Sequence, residues 1–208
     1  MTPYASNTGG KTNLAQLKHY GWRLLLTPDN PQVRAGFKYA VDNGAWGAFQ
    51  KQESFDESRF MALVERAGAG ADFVILPDIV AGGNASLNFS IKWYPKLRHL
   101  RMLMLPVQDG MDVERAGAFI RHNHNVGIFL GGSTEYKLAE MYAWGLVAAA
   151  LGRWYHVGRV NSARRIKLCA EAGAHSFDGT SATKFSSTVP LLDWAARRTP
   201  LFSARNFV

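Results

Sequence analysis

Short runs of apolar, β-prone residues recur along this chain, and between them apolar positions return at helical spacing. The runs TPYAS (2–6), WRLLLTP (22–28), FKYAVD (37–42), DFVILPD (72–78), RMLMLPVQ (101–108), VGIFLGG (126–132), WYHVGRV (154–160) and AHSFDG (174–179) predict eight strands. The intervening segments carry helix signals: NLAQLKHYG after Thr12, FDESRFMALVERAGAG with Asp56 and Glu57 in its first turn, and ASLNFSIKWYPKLRHL after Asn84. MDVERAGAFIRHN follows, then STEYKLAEMYAWGLVAAALG opening with Ser133 and NSARRIKLCAEAG opening with Asn161. The link from Leu26 to Phe37 is too short and too rich in proline for a full helix, so one β/α unit is expected to be irregular.

Strict alternation of strand and helix implies a parallel sheet, and eight units suit a closed single-domain (β/α)8 TIM-type barrel over residues 1–208. An open doubly wound sheet is the runner-up, but neither G-x-G-x-x-G nor G-x-x-x-x-G-K-[ST] follows any strand. The 208 residues are 47% hydrophobic, enough for one buried core and too few for two ordinary domains. No apolar run reaches the roughly 20 residues that cross a bilayer, and the N-terminus lacks the order of a signal peptide, so a soluble, cytoplasmic protein with no membrane partner is expected. The only cysteine, Cys169, rules out an intramolecular disulfide and a cysteine-cluster zinc site; its place in IKLCAEAG reads as helix packing.

A formal charge of +8 makes polyanions plausible partners, and Arg153, Arg159, Arg164, Arg165, Lys167, Lys184, Arg197, Arg198 and Arg205 load the C-terminal third.

In a barrel of this kind chemistry gathers at the C-terminal strand ends. Those ends carry Asp42, Asp78, Gln108, the pair Gly131 and Gly132, Arg159 and Asp178. A single strand-end Asp is ordinarily a turn or cap residue. Three on one mouth are costly unless a substrate, proton or cation compensates them, and such clusters often mark function. Converging carboxylates suit divalent-metal binding or displacement at a glycosidic carbon. Against metal, His156 is the only histidine at a strand end, neither H-x-E nor H-E-x-x-H occurs, and His122 and His124 fall at a helix end, where they are expected to face solvent.

These motifs, in this order, resemble the tRNA-guanine transglycosylase superfamily, and most closely its small DNA-modifying branch, the DNA 7-deazaguanine transglycosylases of bacteria and their phages. The resemblance runs from about Tyr4 to Phe185. VDNGAWG resembles the family's Asp-Ser-Gly-Gly-Phe segment and implies a proton-handling Asp42. LPDIV implies that Asp78 reads the edge of a guanine-like base, PVQDG implies Gln108 as a second base contact, and FLGGS implies backbone contacts from Gly131 and Gly132. HVGRVNS is similar to a Gly-Val-Gly stretch. SFDGTSATK resembles the nucleophile segment, implying nucleophilic Asp178 with Gly179 serving the turn that presents it, and Lys184 where the family has a phosphate-contacting Arg.

The resemblance thus implies exchange of guanine in DNA for a free 7-deazaguanine such as preQ0 through a covalent Asp-deoxyribose intermediate, with no metal or other cofactor. Arg159, Arg164, Arg165 and Lys184 would line a phosphate path, and Trp46 and Phe49 offer either base stacking or core packing. The Cys-x-Cys-x-x-Cys plus His zinc subdomain of the tRNA enzymes is missing, which favours the DNA branch over a tRNA-guanine transglycosylase. A homo-oligomer is compatible with the sequence. A non-catalytic nucleic-acid-binding paralogue would need neither Asp42 nor Asp178, and a phosphate-binding barrel enzyme would carry a Gly-rich loop after its last strands.

Overall fold

The computed structural model describes residues 1–198. Eight parallel strands, β1 (Thr2–Ser6), β2 (Arg23–Leu26), β3 (Tyr39–Val41), β4 (Val74–Ile75), β5 (Leu103–Val107), β6 (Val126–Leu130), β7 (Tyr155–Val157) and β8 (Ser176–Gly179), pair in chain order. β8 returns to β1, with Tyr4 opposite Asp178, and closes a (β/α)8 barrel.

Closure explains why the strands read as apolar runs rather than alternating ones: both faces are covered. All five residues of β5 are buried. Tyr4, Leu25, Ala40, Phe73, Ile75 and Met104 form one cluster, while a larger one, including Ala5, Leu24, Leu26 and Val41 from alternate strand positions, packs toward the helices. At the start of β2 and just ahead of β4, Arg23 and Asp72 pair at 2.9 Å, and the Tyr4 hydroxyl donates to Asp72 at 2.9 Å.

The helices among the described residues are α1 (Lys11–His19), α2 (Ala45–Lys51), α3 (Glu57–Ala67), α4 (Gly83–Leu97), α5 (Val113–His122), α6 (Thr134–Ala150), α7 (Ala163–Glu171), α8 (Ser181–Lys184) and α9 (Val189–Arg197). Asp56, Asp112, Ser133 and Ser162 cap α3, α5, α6 and α7, each side chain accepting from the third helical N–H. Four predicted starts are corrected. Asp56 caps α3 instead of sitting in its first turn, α1 begins at Lys11, ahead of Thr12, and α4 begins at Gly83, ahead of Asn84. Ser162, not Asn161, caps α7, because the Asn161 carboxamide is already engaged by the Thr180 and Ser181 N–H groups. The irregular unit is where proline placed it: no helix lies between β2 and β3. Among the described residues no helix is long and apolar enough to cross a membrane.

Candidate active site

At the C-terminal end of the barrel lies a cavity of about 530 Å³, within the size range of small-molecule sites. Asp42, Asp78, Gln108, Gly131, Gly132, Arg159 and Asp178 all line it. Lys184 and Arg164 do not: both are exposed, on α8 and α7. Arg165 borders a separate, much smaller crevice together with Lys137.

Asp178 is buried within β8 and both its oxygens are engaged. His156 Nε2 lies 3.0 Å from Oδ1, and the Arg159 backbone N–H donates to Oδ2 at 3.2 Å. Gly179 serves a different purpose from the turn expected of it. It lies within β8, and a Cβ there would stand 2.2 Å from the Val160 carbonyl oxygen; the residue is small because the loop after β7 presses against the strand.

Asp42 directly follows β3 and accepts from the Gly44 N–H at 2.6 Å. Burial pushes its carboxyl up to about 7, against the pull of that hydrogen bond, and the charges of Asp178 and Asp78 add to the rise. Asp78 is raised by burial to about 6, held back by hydrogen bonds from Asn43 and Gln108 and by the charge of Arg159. Asn43 Nδ2 donates to Asp78 Oδ1 at 2.8 Å and to the Leu76 carbonyl at 2.7 Å. Gln108 Nε2 donates to Asp78 Oδ2 at 3.2 Å, to the Ile79 carbonyl at 3.0 Å and to Ser86 Oγ at 2.7 Å. The two N–H groups of Gln108 are therefore shared among Ser86, Ile79 and Asp78, with Ser86 the closest partner and Asp78 the farthest.

Gly132 has a φ of 75°, and a Cβ there would stand 2.4 Å from Asp109 Oδ2, the oxygen that accepts the Ser133 N–H at the entrance to α6. Its carbonyl accepts a hydrogen bond from the Arg159 guanidinium. That guanidinium also lies 3.9 Å over the Trp46 ring, and Trp46 stacks on Phe49 with centroids 5.8 Å apart. Arg159 thus crosses the mouth of the cavity instead of extending along a surface track. Burial lowers its pKa, opposed by Asp178, Asp109 and Asp78. Trp46 and Phe49, 39% and 54% exposed, belong to the rim and not to the core. Behind the site the buried Lys137 donates to the Gly158 carbonyl at 2.7 Å; burial and Arg159 push its pKa down to about 8.

Sequence reasoning assigned no part to Asn43, Ser86 or Lys137, and weighed His156 only as a metal ligand. His156 faces Ser176 across the β7–β8 ladder, and Ser176 and Asp178 share one face of β8 by the two-residue period. Once the register is known, that period brings the three together. Among the described residues no three His, Cys, Asp or Glu side chains are arranged to hold a metal ion. Cys169 is buried on α7, and His122 and His124 are exposed.

No family model and no curated protein matches the chain. Among solved structures it is similar to protein CitE from Mycobacterium tuberculosis in complex with magnesium and acetate, at 15% identity and a TM-score of 0.54 over 96% of this chain and 92% of that one. The same protein with magnesium and pyruvate matches at 15% identity and a TM-score of 0.53 over 99% and 94%. The 3-hexulose-6-phosphate synthase from Salmonella typhimurium matches at 9% identity and a TM-score of 0.51, over 94% of this chain and 98% of that one. At these identities the shared property is the barrel fold.

Proposed function

We propose that the chain is a base-exchange transglycosylase that replaces guanine in DNA with a free 7-deazaguanine such as preQ0. The observation that carries the reading is the convergence of Asp42, Asp78 and Asp178 on one cavity roofed by the stacked Arg159 and Trp46. A flat base fits beneath an aromatic lid, and a glycosidic bond needs one carboxylate at carbon and another at the proton.

In this reading a guanine nucleotide leaves its strand, at a cost of a few kcal/mol if the DNA is duplex, and enters the cavity. Asp78 accepts from the N–H groups of its base edge, with Asn43 and Gln108 holding the carboxylate in place. An Asp178 oxygen attacks C1′ as the C1′–N9 bond breaks. The bonding pair goes to guanine, which takes the Asp42 proton. The incoming 7-deazaguanine then returns a proton from N9 to Asp42, bonds to C1′, and releases Asp178 as carboxylate. A carboxyl with a pKa near 7 suits a group that must give and then recover one proton in each cycle.

Incubating the protein with guanine-containing DNA and preQ0, followed by mass spectrometry of the nucleosides, tests the proposal. Exchange into DNA that disappears in Asp178→Ala is the expected result. Exchange into tRNA alone, or into neither polymer, overturns it.

A further inference from the structure

His156 has no solvent exposure. Phe129 lies almost parallel to its ring, with centroids 5.0 Å apart, and Phe73 and Tyr4 approach at steep angles at 5.2 and 5.7 Å. Its two nitrogens have different partners: Nδ1 is 2.8 Å from Ser176 Oγ, and Nε2 is 3.0 Å from Asp178 Oδ1. Trp154 Nε1 reaches the same Ser176 Oγ at 2.9 Å.

The direction of these bonds follows from what each group can do. An indole N–H only donates, so Ser176 accepts from Trp154. The serine hydroxyl then has its own proton to place in a fully buried position, and His156 Nδ1 is the acceptor it touches. With Nδ1 accepting, the ring proton sits on Nε2, facing the Asp178 carboxylate. The other tautomer would deprive the serine proton of its acceptor and set a bare nitrogen lone pair against a carboxylate oxygen. Both changes leave buried polar groups unmatched.

We infer that the Trp154–Ser176–His156 relay holds His156 as the Nε2–H tautomer and makes it the positioning residue for Asp178. The role in catalysis rests on the reading of Asp178 as nucleophile; the tautomer does not. With His156 on Oδ1 and the Arg159 N–H on Oδ2, each oxygen has a donor and the carboxylate plane is held in one orientation toward the cavity. Fine orientation of this kind affects the bond-forming step more than substrate binding. The rings of Phe129, Phe73 and Tyr4 around His156 fix the plane from which this hydrogen bond is given.

Nitrogen-15 NMR of the His156 ring in the free protein is the first readout. Expected is the Nε2–H tautomer near neutral pH, kept by Asp178 in Ser176→Ala but with the Nδ1 resonance displaced as that nitrogen loses its donor. An Nδ1–H ring or an imidazolium in the wild type overturns the relay. In the exchange assay, His156→Phe keeps an aromatic ring in the cage and removes the donor. It should lower kcat by roughly 10- to 100-fold, the range for a hydrogen bond to a charged group, with KM for the incoming base little changed. His156→Gln, which can present an N–H, should recover part of that loss. Wild-type kcat in His156→Phe overturns the role, and so does equal loss in both variants when their melting curves show them folded. If the wild type exchanges no base, the transglycosylase reading fails separately, and the Asp178 carboxyl carbon resonance decides the positioning claim. It must move in both His156→Phe and Ser176→Ala, and an unmoved resonance sinks the claim.

Discussion

Arg159 holds Asp178 through its backbone, its N–H donating to Oδ2 at 3.2 Å, while its own side chain lies over the mouth of the same cavity. To do both it adopts a φ of 56°, a left-handed conformation in which a side chain is strained. The two roles separate by substitution. Arg159→Gly should be more stable than Arg159→Ala by about 1 kcal/mol, because glycine relieves the strain and alanine does not. Both should raise KM for the incoming base, having lost the guanidinium. Thermal melts and exchange kinetics on the two variants check this; equal stability would mean the φ is not strained.

Trp46 makes the roof in partnership with Arg159 and Phe49. Stacking on a base contributes on the order of 1–3 kcal/mol, so Trp46→Ala should weaken retention of the free base by roughly 10-fold or more, with Trp46→Phe in between. Its 39% exposure means that little fold stability is lost. Calorimetric titration with a 7-deazaguanine base gives the ratio, and unchanged affinity in Trp46→Ala removes the aromatic lid from the argument.

Asp42 makes stability depend on pH in a defined direction. Folded, its carboxyl holds a proton up to about 7; unfolded, it ionises near 3.8. Between those values the unfolded chain binds fewer protons than the folded one, so this contribution is full below about 4, declines as pH rises toward 7 and then levels off. Asp78, raised to about 6, adds the same sign. Asp42→Asn keeps an oxygen for the Gly44 N–H and removes the charge. Above about pH 7 it should be the more stable protein, by on the order of 1 kcal/mol once solvent screening is allowed for, and should have lost exchange activity. The wild-type minus variant melting temperature, followed against pH, must fall over that window; a rise would mean that Asp42 is not raised.

The barrel was legible because closure leaves its signature in the central strands: a run such as LMLPV, apolar at each position, belongs to a sheet covered on both faces. The strand-end residues were legible for the same reason, since Asp42, Gln108 and Gly131 directly follow their strands. The partners behind them were not. His156 meets Asp178 across 22 positions of sequence and Asn43 meets Asp78 across 35, and each contact depends on how neighbouring strands are placed. Arg159 was legible as a strand-end residue but was assigned to a phosphate path, because its left-handed backbone, which turns the guanidinium over Trp46, leaves no trace in composition or spacing.

Gly179 gives the sharpest test of how Asp178 is seated. The Val160 N–H donates to the Asp178 carbonyl at 2.6 Å, and the Asn161 carboxamide accepts from Thr180 and Ser181, so the loop after β7 is bonded to the chain on both sides of the glycine. A methyl there would meet Val160 O at 2.2 Å and Asn161 Oδ1 at 2.8 Å, the first of them backbone that cannot swing away. Relief requires the loop to move outward, and the Arg159 N–H that holds Asp178 belongs to that loop. Gly179→Ala should therefore cost about 1–3 kcal/mol, as overpacking does, and lower kcat well beyond what its stability loss explains. Gly117 in α5 is the control: a methyl there meets nothing within 4 Å, so Gly117→Ala should gain about 0.5–1 kcal/mol from helix propensity and leave exchange unchanged. Full activity in Gly179→Ala would show that the loop after β7 can shift without disturbing Asp178, and that the Arg159 N–H is dispensable for seating it.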